Sequence, residues 1–160
     1  MVKNSKNLLI KFIFLISVIA LVSAFFIEYV LGHQPCNLCI LERIPYLLAL
    51  IIILFNFKFS HFEKFFILLL IIIFLVGAII SLYHLGIELG FIQESLVCDL
   101  KSASDLLSKE EILKQLQEKN VSCKDVTFKI FGLSLTSYNI LISLLITISA
   151  GKTYFNYEKN

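Results

Sequence analysis

Four long apolar runs divide the chain: Phe12 to Leu31, Ile40 to Phe57, Phe65 to Leu85 and Ile130 to Gly151. They are continuous rather than alternating or heptad-spaced, which argues against a coiled coil and against an ordinary aqueous core. The third run has no permanently charged residue, and the first has only Glu28. A helix over Phe65 to Leu85 reaches about 31 Å, close to the roughly 30 Å hydrocarbon core of a bilayer. The second run carries Glu42 and Arg43 in its first turns, so its uncharged part is short and the two charges are expected near one membrane face. The fourth contains Ser134, Thr136, Ser137, Asn139, Ser143 and Thr147, whose side chains can bond a neighbouring helix or their own backbone.

The pattern predicts an all-α membrane protein forming one domain over residues 1–160, a four-transmembrane-helix bundle with helices at about 8–31, 40–57, 65–85 and 130–151. A short loop at about 32–39 and a long one at about 86–129 connect the helices at one face. Within the long loop, Ser108-Lys109-Glu110-Glu111 reads as a capping box opening a helix to about Lys119. Ile112, Leu113 and Leu116 share one side of it, opposite Lys109, Lys114 and Gln117. That amphipathic helix fits either the membrane surface or packing on the other loops.

Composition agrees with a lipid solvent: 58% of residues are hydrophobic and 16% charged, against roughly 25% charged in soluble domains. The net charge of +2 is small and no basic stretch is interleaved with aromatics, which excludes nucleic acid as an expected partner. Lys3, Lys6 and Lys11 before the first run, with Val22-Ser23-Ala24 inside it, loosely imitate a secretory signal. The apolar stretch continues through Phe25, Phe26 and Ile27, so an uncleaved anchor is the better reading.

Lysines set the expected orientation. Lys3, Lys6 and Lys11, then Lys58 and Lys64, then Lys152 and Lys159 flank the runs on one side, which makes both termini cytoplasmic. The tight connection from Gly32 to Pro35 has no Lys or Arg, and the segment from Glu88 to Lys129 has more acids than bases. All four cysteines then lie on the outer face, periplasmic if the membrane is a bacterial inner membrane.

Those cysteines are Cys36 and Cys39, in Cys36-Asn37-Leu38-Cys39 at the head of the second helix, and Cys98 and Cys123 in the long loop. In an oxidising compartment an even set normally forms disulfides. A structural staple suits Cys98 and Cys123, because a bridge there closes a polar loop with little core of its own. It suits Cys36 and Cys39 poorly, since a bridge across two residues closes almost no chain and removes little unfolded-state entropy. Such pairs are usually redox-active or metal-binding. A helix start supplies unpaired N–H groups that stabilise a thiolate. If the helix continues from Cys39 to Arg43, both lie on one face and the guanidinium can stabilise a Cys39 thiolate. Snorkelling to headgroups, or an interfacial pair with Glu42, is the plainer role for Arg43. No metal is expected, because the cysteine intervals give only half of a four-thiolate site the usual paired spacing. His84, in Tyr83-His84-Leu85-Gly86-Ile87-Glu88, is either an interfacial residue or a hydrogen-bond donor at the depth of Cys39 and Arg43.

Pro35-Cys36-Asn37-Leu38-Cys39-Ile40-Leu41-Glu42-Arg43, the Tyr83 to Glu88 stretch, Cys98, Cys123 and Phe131-Gly132-Leu133-Ser134 together resemble the disulfide bond formation protein B family through nearly the whole chain. The resemblance implies a membrane protein-disulfide:quinone oxidoreductase that reoxidises a periplasmic thioredoxin-fold dithiol carrier of the DsbA type. It implies attack by that carrier on a Cys98–Cys123 disulfide, with Cys123 resolving. It further implies an interloop exchange of Cys36 with Cys123 and a Cys39 thiolate beside a membrane quinone, ubiquinone or menaquinone. Arg43 is then implied to bind or polarise the quinone, with Glu42 and His84 beside it, although many members carry Gln where Glu42 stands. The nearest different reading is a vitamin K epoxide reductase-like enzyme, whose Cys-x-x-Cys pair comes later in the chain. A non-catalytic membrane scaffold with stapled loops is the reading from another class.

Overall fold

The computed structural model describes residues 2–58, 60–93, 123–124, 129–130 and 132–158. Cys98 and the amphipathic segment expected from Ser108 to Lys119 lie outside the described residues. The helices are α1 (Val2–Tyr29), the short α2 (Asn37–Leu41), α3 (Ile44–Lys58), α4 (Glu63–Glu88) and α5 (Leu135–Glu158). A 3-10 turn (Ser60–Phe62) joins α3 to α4, and β1 (Lys129–Ile130) pairs antiparallel with β2 (Leu133–Ser134) just before α5. Among the described residues, four helical stretches are long and apolar enough to cross a bilayer: Asn7–Tyr29, Asn37–Lys58, Glu63–Glu88 and Leu135–Asn156.

The helices close a ring in which α1 packs on α3, α3 on α4, α4 most extensively on α5, and α5 back on α1. The centre is apolar, built from residues such as Ile13, Ala49, Ile53, Phe74 and Ile146. Tyr46 meets Phe74 edge to face at 5.6 Å. Outward-facing positions are also apolar, with Val22, Leu54, Ile79 and Leu145 all exposed. In water such a surface would aggregate; in lipid it is the matching solvent, and polar groups belong inside. The protein is an integral membrane protein.

Two local features set the bundle's geometry. Pro45 sits in the first turn of α3, where its missing N–H costs nothing, but it cannot donate to the Leu41 carbonyl and its ring would clash there. The second span therefore breaks at Glu42 and Arg43, where the Arg43 N–H turns back to the Ile40 carbonyl at 3.1 Å. Gly77 lets α4 approach this point: a Cβ there would lie 2.9 Å from Pro45 Cγ. The fourth helix begins at Leu135, later than the start of its apolar run, because Lys129 to Ser134 forms a hairpin turning at Gly132 (φ +82°). Ser134 Oγ then accepts from the Ser137 N–H at 3.4 Å, in the manner of an N-cap.

Candidate functional site

At the end of the bundle where α2 begins, three elements converge. Cys36 is the N-cap of α2, and its Sγ accepts from the Cys39 N–H at 3.2 Å. One helical turn therefore brings the two thiols together, and they are not joined as a disulfide. On α4 the residues Gly77, Ser81, His84 and Glu88 follow helical spacing and face α5 or the broken span. The Leu89 and Gly90 N–H groups cap this helix on Leu85 and Ile87 carbonyls, with Gly90 at φ +77°. On α5 the matching face carries Thr136 and Asn139.

His84 is the hub, only 1% exposed. Its Nε2 faces Cys36 Sγ at 3.5 Å, while Nδ1 lies 2.7 Å from Glu42 Oε1 and 3.2 Å from Thr136 Oγ1. A carboxylate accepts only, so Nδ1 carries a proton and donates it to Glu42. Nε2 is then free to accept from the Cys36 thiol in the neutral ring, or to donate to the thiolate in the charged one. Glu88 approaches the same ring, with Oε1 3.7 Å from Nε2, and is held by the Thr136 hydroxyl at 2.6 Å. Asn139 ties the network to the rest of the bundle: its Nδ2 donates to Glu42 Oε2 at 3.1 Å and to Ser81 Oγ at 2.7 Å, and its Oδ1 accepts from the Tyr46 hydroxyl.

The two thiols sit in different environments. Its hydrogen bond with the Cys39 side chain and its burial push the Cys36 thiol well above the usual range, with His84 pulling the other way. Cys39 is partly exposed.

Cys36, Cys39, Glu42 and His84 are therefore brought together, and Cys123 joins them, buried in one cluster with Cys36, Leu38 and Ile87. Arg43 points elsewhere. The break before Pro45 ends the helix that was expected to align it with Cys39, and its Nη1 instead pairs with Glu28 of α1 at 2.5 Å. Its guanidinium also lies 5.4 Å from the Phe25 ring centroid. Glu42 and Arg43 do not form the interfacial pair open to them in sequence; Glu42 turns into the bundle and Arg43 toward α1. Sequence reasoning passed over Glu28, Glu88, Ser81, Thr136 and Asn139 as site residues. The usable signals were the single charge within the first run and the four-residue spacing of His84 and Glu88.

A membrane bundle that holds a Cys-x-x-Cys pair at a helix start, with one thiol against a buried His–Glu pair, has the equipment of a membrane thiol oxidoreductase. The family model for "Disulfide bond formation protein DsbB" matches residues 6–152. The chain belongs to that family, whose members are membrane oxidoreductases of disulfide bond formation. It is similar to "Uncharacterized protein RP370" of Rickettsia prowazekii (strain Madrid E), 33% identical over 147 residues, covering 91% of this chain and 86% of the relative. No solved structure matches the chain significantly.

Proposed function

We propose that the protein is a thiol oxidase of the bacterial inner membrane that takes electrons from a periplasmic thioredoxin-fold dithiol carrier and delivers them to a membrane quinone. The observation that carries this reading is the shared burial of Cys36 and Cys123, which come from different connecting segments yet pack with Leu38 and Ile87 in one cluster. A staple confined to the long loop gives Cys123 no reason to be there; an exchange between loops requires it.

In this reading a carrier thiolate attacks Cys98 of a Cys98–Cys123 disulfide, and the freed Cys123 thiolate attacks Cys36 of a Cys36–Cys39 disulfide. Cys39 leaves as thiolate. The carrier's second thiolate then attacks the carrier sulfur of the carrier–Cys98 mixed disulfide, which gives the carrier disulfide and frees Cys98. The Cys98 thiolate attacks Cys123 of the Cys36–Cys123 bridge, re-forming the outer disulfide and releasing Cys36, so that Cys36 and Cys39 are left reduced. The overall exchange moves two electrons and two protons, so carrier dithiol plus quinone becomes carrier disulfide plus hydroquinone.

The residues present fit a quinone at Arg43 better than at His84. Both ring nitrogens of His84 are already engaged by Cys36, Glu42 and Thr136. Among the described residues Arg43 spends only Nη1 on Glu28, which leaves its other N–H groups for a carbonyl oxygen, and it stands beside the half-exposed Phe25. Bound there, a quinone supplies a two-electron acceptor. Arg43 would orient it, Glu42 and His84 hold the Cys36 end of the pair, and Cys39 is the thiol left partly exposed.

The reading is tested with a variant that keeps only Cys36 and Cys123. Mild oxidation of membranes should join these two, read as protection of both thiols from maleimide labelling. If both remain freely labelled after oxidation, the interloop exchange is wrong.

A further inference from the structure

The same end of the bundle presents a second chemistry that electron transfer does not use. Cys36 Sγ, Cys39 Sγ and one ring nitrogen of His84 all lie within 4.8 Å of one another. The geometry points to a three-ligand site for Zn²⁺ or a similarly thiophilic cation, present only while Cys36 and Cys39 are reduced. Metal occupancy and electron delivery then exclude each other.

The distances agree with this. Zinc takes sulfur at about 2.3 Å and imidazole nitrogen at about 2.0–2.1 Å, so a tetrahedral angle separates the two ligand atoms by about 3.6 Å. Cys36 Sγ and His84 Nε2 are 3.5 Å apart. The outer shell is also of the right kind: a ligating histidine almost always passes its other N–H to a carboxylate or carbonyl, and Nδ1 of His84 meets Glu42 Oε1 at 2.7 Å. Glu42 is in turn fixed by Asn139 at 3.1 Å, so the ring cannot swing away. Two thiolates neutralise a divalent cation in a site where a bare charge would be costly. Soft donors exclude Mg²⁺ and Ca²⁺, which require oxygen cages. Entry is from the side of Cys39, because Cys36 and His84 are sealed at 5% and 1% exposure while Cys39 is partly open.

Oxidation removes the site. In a disulfide the sulfurs are bonded at about 2.05 Å and carry no negative charge, so neither serves as a thiolate ligand. This differs from the four-thiolate centre that the cysteine spacing argues against, because His84 replaces the loop cysteines. Binding rests on geometry alone. Only the consequence, that zinc holds the enzyme reduced and arrests turnover, rests on the oxidase reading.

The test uses full-length protein carrying Cys98→Ser and Cys123→Ser in detergent, so that zinc reports on the helix pair only. Reduced and oxidised forms are titrated anaerobically with Zn²⁺ against a chromophoric chelator, without carrier or quinone. One equivalent should bind to the reduced form, with affinity at least about 100-fold above that of the disulfide form. Glu42→Gln should weaken binding about 10- to 100-fold, the usual effect of losing an outer-shell partner, and His84→Ala at least as much. Equal binding by reduced and oxidised protein, or binding that neither substitution changes, overturns the site. His84→Ala can unfold the bundle, so zinc-edge X-ray absorption of the His84-containing protein gives a second reading. Two sulfurs with an imidazole support the proposal; sulfurs with water oxygens alone overturn it. Failure here leaves the oxidase reading standing, and an inactive oxidase that still binds zinc leaves the site standing.

Discussion

Glu42 grips His84 across the break in the second span, Oε1 to Nδ1 at 2.7 Å, and so fixes which ring nitrogen faces Cys36. Removing one partner of a buried pair leaves the other unsatisfied, typically at about 3–5 kcal/mol. Glu42→Ala should therefore lower unfolding stability in micelles by about that amount. Glu42→Gln keeps an acceptor for Nδ1 and should lose less than half as much. Loss of helical circular dichroism on heating or in denaturant measures both, and equal stability of Glu42→Ala and the unsubstituted protein would contradict the grip.

Close approach of α3 and α4 depends on Gly77. A Cβ at this position meets the Pro45 ring at 2.9 Å, and a rigid ring cannot swing aside as a long side chain does. Gly77→Ala should cost about 1–3 kcal/mol, the usual range for overpacking, and slow thiol oxidation by displacing Glu42 from His84. Gly151 in α5 has open space around its missing Cβ, so Gly151→Ala should be neutral or stabilising by up to about 1 kcal/mol. The same thermal scan checks both.

The Cys36 thiol is held above the ordinary range by its bond with Cys39 and by burial. A raised thiol pKa means the proton is retained at neutral pH and released only in alkali, so the nucleophilic thiolate is scarce until the pH climbs. Alkylation of Cys36 in the reduced protein should be slow at neutral pH and accelerate as the solution becomes alkaline. Cys39→Ser removes the largest upward cause and should move the rise to lower pH. Peptide-resolved mass spectrometry of pulse-labelled protein follows it; fast, pH-independent labelling near neutrality would refute the assignment.

Arg43→Ala should slow quinone reduction about 10- to 100-fold at limiting quinone, the range of one charge-assisted hydrogen bond, with carrier exchange at Cys98 little changed. Arg43→Lys keeps charge without the planar fork and should fall between. Glu28→Gln should have a smaller effect, because Nη1 keeps an acceptor. Rates at saturating and limiting quinone separate binding from chemistry. An Arg43→Ala enzyme with unsubstituted rates under both conditions makes Arg43 a headgroup anchor.

Much of this molecule is legible in one dimension because lipid imposes long apolar runs, and Cys36 with Cys39 can hardly be missed at a helix start. What escaped is tertiary. Helical spacing aligns Cys39 with Arg43, but Pro45 deprives Leu41 of its donor and the chain breaks between them. Glu28 shows as a charge in an apolar run and so as a residue in need of a partner; that the partner is Arg43 follows only from how α1 lies on α3. Asn139 reads as one of several polar residues in the last run, yet it bonds Glu42, Ser81 and Tyr46 together. The turn at Gly132 shortens the fourth apolar run, and hydropathy does not register it.

The most direct test mixes purified protein with a reduced thioredoxin-fold dithiol and a quinone under anaerobic conditions and counts both products. The account predicts one quinone reduced for each carrier dithiol oxidised, with Cys36→Ser abolishing quinone reduction. Carrier oxidation without matching quinone loss, or quinone reduction that survives Cys36→Ser, would contradict it.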